Sequence, residues 1–409
     1  ASIGQWVQKL NGHGVIKCNK RISGNDPVNP IYIDCAKYFS EDNGFERWLY
    51  NIVDWYVPAK TSYIVYREID KASAFLKNMI VERLRANGLS SFKVVDVEKA
   101  TEEISGEGAV VIAMPVTGTG ETLLKLNRNL RISGHSGNRI FISPFVVFGS
   151  RTGFFNFKNS LIFGPNGLKY QFFSLHSIYF GHGKESSSWD LELEVVEKLQ
   201  DEFWESRAER LRNVANGVDQ YIGTPSLDVN EKLTFSKDFA FWDEGYDPES
   251  IDPESVYLTV SAILQNLREK PITEDDQDSL FSYVYQHSVL DPENFVRFND
   301  GLLQCSLWRA ADSRELDYRS SEELSKTFMN IMARLVSENC KGNSNSAIDL
   351  LMGIAVGKIK IANSVLGEFA KEFDQKYLSA GYLHVSELIK LIRIEVLGEE
   401  LNADVGIAF

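Results

Sequence analysis

The chain has 409 residues, of which 24% are charged and 44% hydrophobic, and its formal net charge is -14. This length suffices for two or three domains, and the composition is ordinary for a folded globular protein. The acidic surplus disfavours non-specific binding of nucleic acid, because neutralising phosphates requires an excess of Lys and Arg. No apolar run is long enough to span a membrane and no signal-peptide pattern begins the chain, so we expect a cytoplasmic protein that does not bind membranes.

The first part of the chain predicts short elements separated by glycine and proline. Residues 1–30 predict an irregular entry with one strand at 14–18. Ser40 has the position of an N-cap for an amphipathic helix that ends before Pro58. A strand at 62–66 follows, and after it comes a helix whose apolar side chains recur at three- and four-residue steps.

The turn after this strand reads Arg-Glu-Ile-Asp-Lys. Two interpretations of it stay open. Arg67 and Lys71 could supply the positive charge that an anionic ligand needs. Alternatively, Asp70 could cap the following helix among solvated neighbours.

A strand, a small-residue loop and a helix follow one another between residues 108 and 129. The apolar run 109–114 is rich in β-branched residues and too short for a helix, so it predicts a buried strand. The loop 116–122 is rich in Gly and Thr, and leucines then recur at helical spacing. Backbone N–H groups at such a helix N-terminus can cradle a phosphate, which glycine lets approach closely. The sequence therefore predicts a phosphate-binding loop.

Two well-known phosphate-binding loops do not fit this stretch. A Walker A loop needs a glycine where Pro115 stands and a lysine where Glu121 stands, and a carboxylate would repel a triphosphate. A dinucleotide-binding fingerprint could begin with Gly118 and Gly120, but Leu123 occupies its third glycine position. A Gly/Thr turn that serves only packing is the remaining alternative.

The loop resembles the one that holds 5-phosphoribose-1-diphosphate (PRPP) in the type I phosphoribosyltransferases. The residues that match the turn around the 5-phosphate are Val116, Thr117, Gly118, Thr119, Gly120 and Thr122. The two acidic residues that grip the ribose hydroxyls in that family are replaced by Met114 and Pro115. The resemblance therefore implies phosphate binding, whereas it does not imply ordinary transferase catalysis.

The same resemblance assigns roles to residues outside the loop. It places the diphosphate of PRPP at the turn of Arg67 and Lys71, although the family prefers small residues there. Catalysis would need Asp96 or Glu121 to replace the missing acidic pair, and Mg²⁺ would stabilise the charge on the diphosphate. No other metal site is expected, since the four cysteines lack C-x-x-C spacing, and no organic cofactor is expected.

Further strands at 92–97 and 139–148 complete an α/β fold, in which a mostly parallel sheet carries helices on both faces. Asp96 and the Gly/Thr loop would then meet at the carboxyl edge of the sheet. Asn166-Gly167, between aromatic runs, predicts a β-hairpin that covers the ligand edge, extends the sheet or contacts another copy. We assign residues 1–188 to this domain.

The rest of the chain predicts a separate all-α domain. One long charged helix at 189–218 and an acidic, aromatic stretch at 219–254 together make a connector, 189–254. The helical domain is then 255–409. The helices expected in it are 256–268, 278–289, 292–309, 322–338, 346–358, 365–373 and 385–396.

Two hypotheses for function follow. The first is an enzyme that binds PRPP or a nucleotide and transfers or releases pyrophosphate at the anomeric carbon. The second is a binding module that has lost catalysis and senses a nucleotide or holds a protein partner. By architecture alone, the domain plan also resembles components of bacterial anti-phage toxin–antitoxin systems. That resemblance implies a protein partner or a homo-oligomer through the helical domain.

Overall fold

The structure is a computed structural model, and the residues that it describes are 10, 14–18, 31–41, 43–164, 167–179, 187–215, 253–269, 281–284, 287–296, 300–336 and 344–399. The chain forms two compact units. The α/β unit consists of His13–Ile16 and Tyr32–Glu185, and the helical unit consists of Ala1–Gly12, Lys17–Ile31 and Ser186–Phe409. Most of the predicted aromatic stretch 219–254 lies outside the described residues.

Strands and helices alternate in the first half of the chain. In chain order the elements are β1 (Ile16–Cys18), β2 (Ile31–Ile33), α1 (Cys35–Glu41), α2 (Asn43–Tyr56), β3 (Thr61–Tyr66), α3 (Lys71–Ala86), β4 (Lys93–Asp96), α4 (Ala100–Glu103), β5 (Ala109–Ala113), β6 (Val116–Thr117), α5 (Glu121–Ile132), β7 (Arg139–Ile142), β8 (Phe145–Phe148), α6 (Arg151–Ile162), β9 (Gln171–Phe173) and β10 (His176–Tyr179). The predicted α/β class is therefore confirmed.

Five strands form the main sheet of the α/β unit. It is parallel throughout, with the order β4-β3-β5-β7-β9. Every residue of β5 is buried, as expected for a strand that helices cover on both faces. On one face α5 and α6 contribute Leu126 and Phe154 to a core with Val110. Helix α3 packs against β3 and β5 and buries Leu76 and Ile80 outside that core.

Three of these strands are interrupted for two residues and then continue. The continuations of β5, β7 and β9 are β6, β8 and β10, which form a second parallel sheet in the same order. The interrupting pairs are Met114-Pro115, Ser143-Pro144 and Ser174-Leu175. Proline has no N–H for the ladder, which explains the first two interruptions. The single strand predicted at 139–148 is therefore two strands.

Two further predictions in this unit need correction. Ser40 does not begin a helix but lies in the last turn of α1, where its hydroxyl donates to Lys37 O (2.8 Å). The turn at Gly167 is present, because Phe163 and Lys169 form an antiparallel bridge on either side of it. The aromatic run before the turn is helix α6, however, and the run after it is the parallel strand β9. Asn166 lies outside the described residues.

The second half of the chain is mainly helical. Its elements are α7 (Ser188–Val196), α8 (Glu202–Ala215), α9 (Pro253–Glu269), β11 (Phe281–Val284), β12 (His287–Leu290), a 3₁₀ helix (Pro292–Phe295), α10 (Gly301–Ala310), α11 (Glu322–Val336), α12 (Ser344–Ala355), α13 (Asn363–Ser379) and α14 (Leu383–Glu395). The predicted helix at 189–218 is thus broken at 197–201. The helix predicted at 278–289 is wrong, since β11 and β12 pair there as antiparallel strands.

Buried charges tie four helices of the helical unit together. Glu192 on α7 accepts hydrogen bonds from Arg207 on α8 (2.6 Å) and from Arg309 on α10 (2.8 Å). Arg309 also donates to Asp349 on α12 (2.7 Å), and all four side chains are fully buried. Burial by itself would raise the pKa of Glu192, but the two arginines outweigh it and hold that pKa below its ordinary value. Removing one member would leave an unpaired buried charge, which is strongly destabilising.

Candidate phosphate-binding site

The strand order of the main sheet marks one part of its carboxyl edge. From β3 the chain moves outward to β4 and then returns across β3 to β5, so the direction of connection reverses between β3 and β5. In open α/β sheets, the crevice outside the carboxyl ends of the strands at such a reversal is the usual place for a ligand. The turns that follow β3, β4 and β6 therefore hold the candidate residues.

The turn after β3 is bonded within the protein. The Ser73 hydroxyl accepts a hydrogen bond from Arg67 N–H (2.9 Å) and donates to Ala113 O at the end of β5 (3.0 Å). Asp70 is the N-cap of α3, and its Oδ1 accepts from Ala72 N–H (2.9 Å). The capping interpretation of Asp70 is therefore confirmed. The role of the neighbouring cations in binding a diphosphate stays a prediction.

The carboxylate of Asp96, at the end of β4, holds two turns together. Its Oδ2 accepts from Glu68 N–H (2.7 Å) in the turn after β3, and its Oδ1 accepts from Glu98 N–H (2.8 Å) in the turn after β4. Both oxygens are therefore engaged by the backbone. A catalytic role of Asp96 stays a prediction, and it would have to coexist with this structural one.

The charges of the turn after β3 are mixed. Arg67 is half-buried, and its Nε lies in the interior without a hydrogen-bond partner among the described residues. Lys71 is exposed. Glu68 and Asp70 stand between these two cations, and Asp96 adds a third carboxylate through its bond to Glu68 N–H. The cluster as a whole is therefore not a cationic pocket.

The positions that carry the acidic pair in the resembled family are buried between β5 and β6. Met114 belongs to the hydrophobic core. Pro115 is buried, and its carbonyl accepts from Phe145 N–H (3.0 Å) and from the Cys35 thiol (3.9 Å). Burial, with a smaller contribution from Asp70, raises the pKa of the Cys35 thiol well above its ordinary value, so this cysteine is a poor nucleophile. Strand pairing therefore resumes past these positions, in β6, which takes up the first two residues of the Gly/Thr loop.

Thr117 faces the interior. Its side chain is 4% exposed, and its hydroxyl shares a hydrogen bond with the Ser143 hydroxyl (2.7 Å), which also donates to Phe145 O (3.1 Å). The Thr117 hydroxyl was predicted to bind phosphate, but this bond turns it away from solvent. We therefore remove the Thr117 side chain from the candidate ligand contacts.

The start of α5 is open. Gly120 is its N-cap with φ 77°, and no side chain caps the helix. The first bond of the helix runs from Leu124 N–H to Gly120 O (3.0 Å), whereas the N–H groups of Thr122 and Leu123 have no acceptor among the described residues. Glu121 N–H makes only a long contact with Thr119 Oγ1 (3.5 Å). Free amides at a helix N-terminus, where the helix dipole is positive, are suited to an anion.

The residues around the Thr122 amide are exposed, whereas Leu123 is buried. Thr119, Glu121 and Thr122 are exposed, and a Cβ added to Gly118 would meet nothing within 4 Å. A Cβ on Gly120 would lie 2.3 Å from the ring of Phe157, so only glycine fits there. Of the predicted phosphate contacts, the structure thus leaves Gly118, Thr119 and Thr122 facing solvent. The Glu121 carboxylate is the one feature here that disfavours an anion, and its predicted catalytic role stays a prediction.

Two residues that hold the turns of the site in place were not identified from the sequence. Ser73 and Ser143 bond to partners that are distant in sequence, Ala113 and Thr117. Ser73 had one local signal, its place three residues after the capping Asp70. Ser143 had none, because a serine before a proline is common in loops.

Within the described part of the chain, no group of three or more His, Cys, Asp or Glu side chains could hold a metal ion. Binding of Mg²⁺ stays a prediction. None of the described helices has both the length and the apolar character needed to cross a bilayer.

Solved structures are similar to part of this chain, whereas no family model and no curated protein matches it. Among solved structures, 43% of the chain is similar to UMP synthase from Leishmania donovani, with 16% identity, a TM-score of 0.28 and coverage of 36% of that chain. The same share of the chain is similar to orotate phosphoribosyltransferase from Aeropyrum pernix, with 14% identity, a TM-score of 0.28 and coverage of 93% of that chain. The match to UMP synthase thus spans about a third of its length. Similarity at this level establishes neither a family nor an activity.

Proposed function

We propose that the α/β unit is a divergent phosphoribosyltransferase-like module that binds a phosphorylated ribose, as PRPP or a nucleotide, at the amino terminus of α5. The observation that carries this proposal is the pair of unpaired amides, Thr122 N–H and Leu123 N–H, beside the exposed hydroxyls of Thr119 and Thr122. Its position beyond the sheet, in the loop that resembles the PRPP loop, supports the same ligand class.

Binding without transfer is the form of the proposal that the geometry favours. The acidic pair of the resembled family is replaced by Met114 and Pro115, and both residues are buried between β5 and β6. Asp96, one of the two carboxylates that could replace the pair, already accepts two backbone hydrogen bonds. The module would therefore act as a nucleotide sensor or as the regulatory part of a larger assembly.

A wider role is proposed on the domain plan alone. In an anti-phage toxin–antitoxin system, the helical unit would supply the contact with a protein partner or a second copy. Co-expression with the product of the neighbouring gene tests this role. Co-purification together with a growth effect that depends on both proteins supports it, and independent behaviour of the two proteins contradicts it.

Calorimetric titration of the full chain with ribose 5-phosphate, AMP and PRPP, with and without Mg²⁺, tests the binding proposal. We expect saturable binding of a phosphorylated ribose and no binding of ribose. Thr122→Val removes a hydroxyl donor at the helix start and should weaken binding by about three- to tenfold, the effect of one hydrogen bond. Release of pyrophosphate from PRPP should stay at background.

Thr101→Val is the matched control, because Thr101 is exposed on α4 and does not belong to the Gly/Thr loop. It should leave all affinities unchanged. Equal affinities for ribose and ribose 5-phosphate would contradict the proposal, and so would an equal effect of both threonine variants. Pyrophosphate release that Thr122→Val abolishes would instead establish the enzyme.

A further inference from the structure

The amino ends of the main-sheet strands, at the edge opposite the candidate phosphate site, carry a buried polar cluster. It consists of Asn127 on α5, His135 in the loop between α5 and β7, and Arg139 at the start of β7. None of these residues takes part in the proposed function. We propose that His135 is a pH-sensitive lock: its neutral ring joins the start of β5 to β7, and protonation of the ring loosens this edge of the sheet.

The hydrogen bonds of the His135 ring allow only one protonation state. Gly108 O, immediately before β5, can only accept, so Nε2 at 2.8 Å from it carries the ring hydrogen. The Arg139 guanidinium can only donate, and its Nε and Nη2 each lie 3.4 Å from Nδ1, so Nδ1 is the acceptor. The ring is therefore the neutral imidazole with its hydrogen on Nε2. A proton added to Nδ1 would remove that acceptor and point an N–H at the guanidinium.

The positive charge of Arg139 is held by neutral groups. Nη1 donates to Asn127 O (2.7 Å) and to Asn127 Oδ1, Nη2 donates to His135 O (3.0 Å), and the guanidinium lies 4.9 Å from the centre of the Tyr170 ring. No carboxylate of the described residues forms an ion pair with it. Burial lowers the pKa of Arg139 to about 10, so the guanidinium stays charged at neutral and acid pH. A protonated His135 would face that charge.

The groups that surround the cluster offer no compensation for a proton on His135. Asn127 and Arg131 come from α5, Arg139 from β7 and Tyr170 from the residue before β9, and all of these are neutral or cationic at neutral pH. Glu107, beside Gly108, is exposed. Burial, opposed in part by the bond to Gly108 O and reinforced by the charge of Arg139, lowers the pKa of His135 below its ordinary value.

This environment sets the direction of the response to pH. The unfolded chain takes up a proton on His135 at about pH 6.5, whereas the folded chain does so only at a lower pH. Opening of the edge therefore becomes more favourable as the pH falls through this window, and the lock holds fully above it. Two backbone bonds flank the His135–Gly108 contact and report on it: Val110 N–H donates to Asn138 O (2.9 Å), and Ser136 N–H donates to Gly106 O (3.1 Å).

Ring-nitrogen chemical shifts of the full chain, labelled with ¹⁵N in histidine alone and followed from pH 8 to pH 5, test the proposal. His135→Gln identifies the His135 signals. We expect the hydrogen on Nε2 and a pKa about one unit or more below 6.5. Over the same range, hydrogen exchange at Val110 and Ser136, corrected for the intrinsic rate, should accelerate about tenfold, the effect of a shift of one pKa unit. His135→Gln should abolish this acceleration, because glutamine has an N–H for Gly108 O but does not titrate.

His384→Gln is the matched control, because His384 belongs to the helical unit and the carboxylates of Asp201 and Glu387 raise its pKa against the effect of burial. It should leave the acid response of Val110 and Ser136 unchanged. A hydrogen on Nδ1 of His135, or a pKa of 6.5 or above, would overturn the proposal. Exchange that does not accelerate in the wild type, or that accelerates equally in His135→Gln, would also overturn it. The ring shifts of the wild type decide the question even if His135→Gln fails to fold.

Discussion

The turns before α3 and before α5 differ in whether a side chain caps the helix that follows. In the turn before α3, Asp70 caps the helix, and Ser73 and Asp96 take further N–H groups. In the turn before α5, Gly120 occupies the N-cap position and leaves the first amides open. Both helices follow parallel strands of the same unit, so the difference arises from side chains. The Asp70 cap takes one of the first amides of α3, whereas Gly120 has no side chain with which to take an amide of α5.

The largest effect is expected at Gly120, because the Phe157 ring leaves no room for a Cβ there. Gly120→Ala would force a Cβ to φ 77° and to within 2.3 Å of the Phe157 ring. We expect the free energy of unfolding to fall by about 2–4 kcal/mol, the sum of left-handed strain and overpacking, and phosphate binding to be lost. Urea unfolding measures the first effect and titration with ribose 5-phosphate the second.

Gly88→Ala is the control for this substitution. Gly88 has φ 84°, but a Cβ there would meet nothing within 4 Å, so only the backbone term of about 1–2 kcal/mol applies. Equal losses in the two variants would show that the Phe157 ring does not constrain Gly120.

A second substitution removes the hydrogen bonds that the Ser73 hydroxyl makes in the turn before α3. Ser73→Ala removes the acceptor of Arg67 N–H and the donor to Ala113 O at a fully buried position. The free energy of unfolding should fall by about 1–3 kcal/mol, because buried partners are left unsatisfied. Affinity for ribose 5-phosphate should stay the same. Ser40→Ala, at an exposed serine of α1, should cost less than about 0.5 kcal/mol. A loss of affinity for ribose 5-phosphate in the Ser73 variant would contradict our expectation that the turn before α3 does not contribute to binding.

The smallest effect is expected at the cap of α3. Asp70→Ala removes the acceptor of Ala72 N–H and should lower the free energy of unfolding by about 1 kcal/mol. Asp70→Asn keeps a capping oxygen and should cost only a few tenths of a kcal/mol. If chemical denaturation gives the same value for both variants, charge rather than capping is the contribution of Asp70.

The sequence predicted the elements that depend on local pattern. The β-branched run at β5 and the leucine spacing of α5 were enough to place the strand, the loop and the helix, and the missing acidic pair was visible at Met114 and Pro115. That the sheet continues beyond Pro115 was not predictable, because it depends on pairing with β8, which is distant in sequence. The interior bond of Thr117 depends on the same pairing, since Ser143 lies two residues before β8.

The wrong predictions at α6 and at residues 278–289 have the same cause. The phenylalanines of α6 resemble a strand in composition, although Ser150 caps a helix there by accepting from Gly153 N–H (3.0 Å). The stretch at 278–289 has helical spacing of its apolar residues, but β11 and β12 pair with each other instead. In both places a short window fitted two periodicities, and contacts outside the window decided between them.

The most direct test of phosphate binding at the start of α5 is a titration of the deuterated, ¹⁵N-labelled full chain with ribose 5-phosphate, followed by the amide chemical shifts. We expect saturable shifts at Thr122 and Leu123, because their N–H groups would gain an anionic acceptor. We expect no comparable shift at Glu68, because its N–H is already bonded to Asp96. Shifts at Glu68 with none at the start of α5 would contradict phosphate binding there.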